Sequence, residues 1–340
     1  MAKMLTRRLF LGFFTVILVS IIIFTGVELL PGDACTAFLE RDAFGKLLEK
    51  CHNNLGLDRS GMVRYLEWAI NALQGDLGTA ANGITPITDL VGARLRNSLF
   101  LAGCSLAVGV PLAVFLGIIT GLWRDKPVDI IFSTVAIFAM TIPEFVSATI
   151  LILVFSVWLG WLPGIIVVSA NSPILEFFPE IILPVVVLAM VMTAHMLRMV
   201  RSSVIDVMSG DYVQMATLKG VPYWRLVFTH ALPNALLPAI NVVALTIAWL
   251  VGGVVVIEVV FNYPGLGRMM IEAISDRDLP VVQAIALIVG SAYVGVNLFA
   301  DLLTMVLNPR LRTLKRREQK LIKSASLFQT PLSWNSQKIL

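Results

Sequence analysis

The sequence predicts an all-α membrane protein with about six transmembrane helices and a small extracytoplasmic cap. Of its 340 residues, 57% are hydrophobic and only 14% are charged, whereas an ordinary soluble domain has about 25% charged residues. Apolar runs of about 20 residues, the number that crosses a bilayer core as a helix, recur along the chain. Because a helix satisfies its own backbone hydrogen bonds in lipid, these runs predict spanning helices.

Six apolar runs can be placed as spans in chain order. The third contains Pro143, which predicts one kinked or tilted span, with a division into two spans as the alternative. The first follows Arg7-Arg8, and an export signal is the alternative there, although the run is longer than a signal usually has. The predicted spans are 9–30, 98–123, 130–159, 181–199, 236–261 and 281–307.

Basic residues are distributed unevenly between the segments that join the spans. With the N-terminus inside, the cytoplasmic segments hold 17 of the 26 Lys and Arg residues. Seven of the others lie in 31–97, a long segment of the kind that counts little in the positive-inside rule. Both termini are therefore predicted to be cytoplasmic. The net charge of +4 is explained by these membrane flanks, and no nucleic-acid partner is predicted.

Four parts follow from this topology. The predicted parts are an N-terminal tail and first span in 1–30, an extracytoplasmic segment in 31–97, a core domain with five spans in 98–308, and a cytoplasmic tail in 309–340. A short helix is expected around 62–73 in the second part. Cys35, Cys51 and Cys104 have no C-x-x-C or metal-binding spacing, and the sequence leaves open whether Cys35 and Cys51 form a disulfide.

The cytoplasmic loop 205–233 carries the most informative local pattern, which predicts two short helices joined at a sharp corner. Asp211 would favour the positive N-terminal end of the first helix, and Gly220 the left-handed position that ends it. Pro222 suits the first turn of the second helix, which Leu232-Pro233 would stop. A rigid corner of this kind can dock on a partner and transmit its movement. An ordinary amphipathic interfacial loop is the alternative.

The same stretch resembles the EAA loop of binding-protein-dependent ATP-binding cassette permeases, whose pattern is E-A-A-x3-G-x9-I-x-L-P. In that family the loop forms the coupling helices that seat on the ATPase subunit. Ala216, Gly220 and Leu232-Pro233 match the pattern, while Gln214-Met215 and His230 replace its Glu, Ala and Ile. The coupling residues predicted here are Asp211, Tyr212, Gln214, Ala216, Gly220, Pro222, Leu232 and Pro233.

Further stretches resemble the dipeptide, oligopeptide and nickel branch of that superfamily. They are LPGD at 30–33, LGLD at 55–58, GDLG at 75–78 and EVVFNYPGLG at 258–267, continued by RDLPV at 277–281. The resemblance covers about residues 7–312. It implies the type I importer permease fold in a bacterial or archaeal cytoplasmic membrane. The implied partners are a second related permease, two ATPase subunits and an extracytoplasmic solute-binding protein, with peptides, nickel, oligosaccharides or opine-like compounds as the solute.

Two acidic residues and one turn are candidates for the translocation pathway or a gate. Glu144 and Glu258 are ionisable groups near membrane depth, where a charge is costly unless it faces protein or water. Pro264, Gly265 and Gly267 predict a tight turn after the fifth span, which would form an outer gate, a docking face or a plain structural turn. His195 and His230 are predicted to pack or to lie at an interface rather than to bind a metal, and Cys51-His52 alone is weak evidence for a soft-metal site.

The sequence contains no G-x-x-x-x-G-K-S/T phosphate loop. The chain is therefore predicted to be a non-enzymatic subunit that binds no cofactor, with ATP and Mg²⁺ on its partner subunits. A secondary transporter is the main alternative, and it would be expected to show inverted repeats with interrupted helices. An intramembrane enzyme would need ionisable residues grouped within the spans.

Overall fold

The computed structural model describes residues 2–29, 34–39 and 44–307. The 30–33 motif and the 309–340 tail lie outside these ranges. The described residues form helices and no named β-strand, as predicted. The helices are α1 (Ala2–Glu28), α2 (Ala34–Leu39), α3 (Gly45–Leu55), α4 (Gly61–Leu73), α5 (Ile87–Leu122), α6 (Pro127–Thr141), α7 (Glu144–Leu151), α8 (Ile182–Met208), α9 (Asp211–Leu218), α10 (Tyr223–Arg225), α11 (Leu232–Val260), α12 (Leu266–Ser275) and α13 (Leu279–Leu307).

Four of the described helices are long and apolar enough to cross a membrane, namely α1, α5, α8 and α13, and the α6–α7 pair adds a fifth if it is one broken span. The predicted span 236–261 lies almost wholly in α11, which has 29 residues. At 1.5 Å per residue, α11 is about 43 Å long, longer than the hydrocarbon core.

The third predicted span is broken rather than gently kinked. Helix α6 ends at Thr141, Pro143 has an extended backbone, and α7 begins at Glu144 and continues as a π-helix over Ile152–Trp158. The chain bends by 106° between α6 and the helix that begins with α7. The residue before a proline avoids the helical conformation, which explains why the helix stops at this point. A straight tilted helix is therefore the wrong description of this region, whereas the predicted disturbance at Pro143 is confirmed.

Helix α8 forms the centre of the bundle. In the most apolar 18-residue stretch of α8, 67% of the residues are buried. The corresponding share is 22% in α5 and α13 and 6% in α1. Glycines on one face of α5 allow the backbones of α5 and α8 to approach closely, because a Cβ on Gly117 would lie 2.6 Å from Val200 Cβ and one on Gly121 would lie 2.7 Å from Val204 Cβ. Small residues at such crossings are typical of membrane helices.

A buried ion pair joins α6 to α8. The Asp129 carboxylate accepts hydrogen bonds from Arg201 Nε at 2.6 Å and Nη2 at 2.7 Å. It also accepts the Asp125 backbone N–H and the Ser133 hydroxyl, so all its contacts favour the charged form. Bidentate geometry of this kind is the strong form of the interaction.

The described residues of 34–86, called the cap segment, lie at the end of the bundle where α1 ends and α13 begins. A disulfide joins Cys35 to Cys51, which answers the question that the sequence left open. Helix α4 confirms the short helix predicted around 62–73, and the Tyr65 hydroxyl lies 2.9 Å from Ser20 Oγ of α1. The cap segment is tied to α13 because Asp278 accepts the Ala81 N–H at 3.1 Å.

Candidate functional site

The first candidate site is the corner formed by residues 211–233, called the 211–233 corner. Helix α9 begins at Asp211 and ends at Leu218, and Gly220, two residues later, has a φ of +75°, which confirms the predicted left-handed conformation. The Gly220 N–H donates to Thr217 O at 2.9 Å and the Val221 N–H donates to Ala216 O at 3.2 Å. These two bonds are those of a Schellman motif, which fixes the direction in which the chain leaves the helix.

The second half of the 211–233 corner differs from the prediction. Pro222 precedes α10 as its N-cap, and α10 passes into a π-helix over Leu226–Ala231 that runs directly into α11. Leu232-Pro233 therefore begins α11 and stops nothing. Proline is common at the first positions of an α-helix, and the structure places Pro233 as the second residue of α11.

One side of the 211–233 corner is anchored in the bundle. Val227 and Leu232 pack in one buried cluster with Val200 and Val204 of α8. The Ser203 hydroxyl of α8 also donates to Ala235 O at 2.7 Å, in the first turns of α11. The residues of the corner and of α8 that form this contact are buried and lie in helices. We therefore expect the corner to move together with α8 and α11.

The other side is exposed and apolar. Leu218 is 81% exposed, and the rings of Trp224 and Phe228 stack with their centroids 5.9 Å apart. Asp211, Gln214 and Pro222 are exposed as well. Exposed apolar patches mark surfaces that bind a partner or a membrane. The large apolar residues of this patch, called the corner patch, are Tyr212, Met215, Leu218, Tyr223, Trp224 and Phe228.

The second candidate site lies at the opposite end of the bundle and is centred on Glu258, which is fully buried. Its Oε2 accepts the Gly267 N–H at 2.7 Å and the Arg268 N–H at 3.1 Å, and its Oε1 accepts the Ser98 hydroxyl. Ser98 Oγ in turn accepts the Leu266 N–H at 2.9 Å. The free N–H groups of the first turn of α12 are thus satisfied by a carboxylate from α11 and a hydroxyl from α5.

The glycines of this turn are required for close packing. Gly265 has a negative φ, and a Cβ there would overlap the Glu258 carboxylate. A Cβ on Gly267 would lie 2.6 Å from Val255 Cα. The left-handed residue of the turn is Asn262, with a φ of +58°. Pro264, Gly265 and Gly267 therefore form a buried structural turn in the conformation described.

Asn97 and Tyr263 extend the same network, and together with Glu258, Ser98 and residues 261–268 they form what is called the Glu258 junction. Asn97 Nδ2 donates to Pro264 O at 3.0 Å and to Ala170 O at 3.0 Å. The Tyr263 hydroxyl donates to Asn97 O at 2.8 Å. Burial, with the nearby Glu258 carboxylate, raises the pKa of Tyr263 above its usual range, so this hydroxyl remains a donor.

Glu144 has different surroundings. It lies in the first turn of α7, directly after the break at Pro143, and its Oε2 is buried with no hydrogen-bond partner among the described residues. A buried carboxylate oxygen of this kind is costly unless a ligand or water reaches it. The structure does not place Glu144 with Glu258, which belongs to the junction above.

Sequence reasoning did not identify Asn97, Ser98 or Tyr263. The sequence contained one signal for Asn97 and Ser98, since both directly precede a long apolar run. Polar side chains at the end of such a run can bind backbone groups of neighbouring elements. The Arg201 guanidinium of α8 is paired with Asp129 of α6 and is not part of either candidate site. Among the described residues, no group of three or more His, Cys, Asp or Glu could hold a metal ion.

Comparison with known proteins relates this architecture to a family. Residues 113–313 match the family described as binding-protein-dependent transport system inner membrane component, and residues 1–87 match the N-terminal region of such proteins. The glutathione transport system permease proteins GsiC of Pectobacterium atrosepticum and of Escherichia coli K12 are each 35% identical over 298 residues, which is 88% of this chain and 95% of the relative.

A solved structure described as that of an amino acid ABC transporter with histidines is 16% identical, with a TM-score of 0.45. It covers 68% of this chain, and the alignment spans 94% of that protein. The matched family region covers more than half of the chain and includes the whole 211–233 corner. The chain belongs to the family of binding-protein-dependent transport system inner membrane components and is the permease subunit of an ABC importer.

Proposed function

We propose that this chain forms half of the translocation pathway of an importer for peptides or similar small solutes, and that the 211–233 corner couples it to an ATPase subunit. The observation that carries the proposal is the two-sided construction of the corner. One side packs against α8 and α11, and the other presents the corner patch. A partner that seats on this patch can therefore move two central helices.

The proposed partners are a homologous second permease, two ATPase subunits that hold ATP and Mg²⁺, and an extracytoplasmic solute-binding protein. Solutes of the peptide class are favoured because the relatives cited above are named for glutathione, a tripeptide. Nickel, oligosaccharides and opine-like compounds are the alternatives. The coupling residues proposed are those predicted from the sequence, with the aromatic residues Trp224 and Phe228 added.

Both termini and the 211–233 corner are proposed to be cytoplasmic, with the cap segment outside. The Cys35–Cys51 disulfide supports this orientation, because disulfides persist on the oxidising side of a bacterial membrane. Cys104 is the one cysteine outside this bond, so a Cys104→Ser background provides a chain without free thiols. In that background, Lys219→Cys should react with an impermeant maleimide only after the cells are opened. Labelling from outside intact cells would contradict the topology.

Coupling is tested by cross-linking. Met215→Cys, in the same background, should form a bismaleimide cross-link to a cysteine in the groove of the ATPase subunit, with a yield that changes when ATP is added. Val157→Cys, which is 67% exposed on the π-helix after α7, is the matched control and should give no such product. Equal yields from the two positions would remove the corner as the coupling element.

Transport is tested in proteoliposomes that contain the assembled complex. Uptake of a labelled peptide should require both ATP on the corner side and the solute-binding protein on the cap side. Uptake driven by an ion gradient alone would favour the secondary transporter instead.

A further inference from the structure

A cavity of about 720 Å³ lies between the cap segment and the bundle. It is bounded by the C-terminal end of α1, by α3 and α4, by residues 76–79 and by the start of α13. Small-molecule sites usually measure about 300–1,000 Å³. The cavity is therefore of the size that encloses a di- or tripeptide.

Three stretches that sequence analysis singled out, and that the proposed coupling does not use, meet at this cavity. Gly56-Leu57 belongs to the LGLD stretch, residues 76–78 to the GDLG stretch, and Leu279-Pro280 to the RDLPV stretch. The first and the last of them are more than 200 residues apart in sequence, yet the fold brings them to a single concave surface. A shared ligand would explain why these stretches lie together.

Two buried donors in the cavity wall have no partner among the described residues. Gln283 is only 8% exposed, and its Nε2 has no acceptor. Arg64 Nε is likewise buried and unpaired, although the other end of its guanidinium pairs with Glu28. Buried polar groups in proteins are nearly always hydrogen-bonded, and an unpaired donor destabilises the fold. Both donors would be satisfied by one ligand that carries a carboxylate.

The remaining walls suit the rest of such a ligand. Phe24 and Trp68 supply an aromatic surface, with ring centroids 6.1 Å apart. Three carboxylates also line the cavity, those of Glu28, Glu67 and Asp76. A peptide has a carboxylate, an apolar or small body and an ammonium group. The unpaired donors and the rings offer counterparts to the first two, and the ammonium group would share Glu28 with Arg64 or Glu67 with Arg59.

The cavity is held in a defined shape before any ligand arrives. Asp76 Oδ1 accepts the Gly78 N–H at 2.9 Å, and Asp278 holds the Ala81 N–H next to the start of α13. Burial raises the pKa of Asp278, while its N–H donors lower it. A site that is already formed loses less conformational entropy when it binds.

We infer that this cavity is a binding site for a small solute with a free carboxylate, of di- or tripeptide size. The site lies on the extracytoplasmic side of the proposed topology and is separate from the Glu144 region. It would hold solute close to the bundle after the solute leaves its binding protein. The choice of peptides rests on the proposed function, whereas the site itself rests on the unpaired donors and the cavity.

The test is equilibrium binding of radiolabelled trialanine to the assembled transporter in nanodiscs, without the solute-binding protein. Gln283→Met keeps the volume of the side chain and removes its unpaired donor, so it should weaken binding about tenfold without lowering the unfolding midpoint. Gln74→Met, an exposed amide of the cap segment that does not line the cavity, is the matched control and should bind as the unchanged protein does. Trialanine with an amidated C-terminus should also bind about tenfold more weakly.

Several results would overturn the inference. They are no binding of trialanine, unchanged binding by Gln283→Met, equal losses from Gln283→Met and Gln74→Met, or equal affinity for the amidated peptide. If Gln283→Met does not accumulate, Gln283→Glu replaces the donor with an acceptor and should show the same loss. Uptake by the complete system is measured in parallel. Retained ATP-driven uptake with no cavity binding refutes this inference alone, and cavity binding without ATP-driven uptake refutes the proposed function alone.

Discussion

The Glu258 junction and the 211–233 corner stand at opposite ends of one helical bundle and are built in opposite ways. At the junction, a carboxylate from α11 and a serine and an asparagine from α5 pair with backbone groups of residues 264–267. At the corner, the side chains that face away from the bundle are large, apolar and exposed. At the junction, the polar groups find their hydrogen-bond partners within the chain. At the corner, the exposed apolar side chains leave a surface that a partner can cover.

The largest expected effect is at the junction. Glu258→Ala would leave the Ser98 hydroxyl and two N–H groups of α12 buried without an acceptor, and it should lower the free energy of unfolding by about 3 kcal/mol. The measurement is the thermal unfolding midpoint of the purified chain, together with its abundance in membranes. Glu272→Ala is the control, since its carboxylate is 40% exposed and forms partly exposed pairs with Arg268 and Arg94. Equal losses from the two variants would contradict the capping role of Glu258.

A second variant tests whether the Asp129–Arg201 ion pair stabilises the other end of the bundle, where the corner lies. Asp129→Ala leaves the partly buried Arg201 without its bidentate partner and should cost about 2 kcal/mol of unfolding free energy. Arg124→Ala removes an exposed pair nearby and should change stability by less than about 0.5 kcal/mol. Chemical denaturation in the same detergent compares them. A neutral Asp129→Ala would mean that the ion pair does not hold α6 to α8.

The corner itself is expected to respond in function more than in stability. Gly220→Val forces a β-branched residue into a left-handed conformation and should cost about 1–2 kcal/mol locally. The variant should insert and assemble, yet lose transport and stimulated ATPase activity. Gly160→Val is the control because Gly160 also has a positive φ and open space around it. Normal uptake by a stably expressed Gly220→Val would show that the corner is not the coupling element.

The smallest stability effect is expected in the corner patch. Trp224→Ala removes an exposed ring and should change the free energy of unfolding by less than about 0.5 kcal/mol, but it should reduce co-purification of the ATPase subunit. Trp158→Ala is the control, because Trp158 is 71% exposed on the π-helix after α7. If both variants retain the ATPase equally, the aromatic residues of the patch do not contribute to docking.

The features that could be predicted from the sequence are those fixed by neighbouring residues. The turn that ends α9 follows from Gly220, a single residue whose left-handed backbone needs no distant partner. The role of Glu258 could not be predicted, because Ser98 lies 160 residues away in the chain and only the fold brings the two together. Sequence reasoning recognised an ionisable group at membrane depth and offered the pathway or a gate as its role, which stays a prediction. The capping of α12 by this carboxylate is an additional role that only the fold shows.

The break in the third span shows the same limit. Pro143 predicted a disturbance of the helix, but the angle of 106° depends on how α6 and α7 each pack against α8. The disulfide was undetermined because three cysteines allow more than one pairing. Leu232-Pro233 was misinterpreted because a proline predicts the end of one helix or the start of the next equally well.

The close packing of α5 on α8 has a mechanical consequence. Glycine-mediated contact leaves no room for sliding, so the two helices should tilt as one rod. Helix α8 leads directly into the 211–233 corner, and α5 carries Asn97 and Ser98 of the Glu258 junction. The 27 residues of α8 form a lever about 40 Å long, so a tilt of about 10° at one end displaces the other end by about 7 Å. A small rotation of α8 at the corner end would therefore displace its opposite end by about the size of an amino acid.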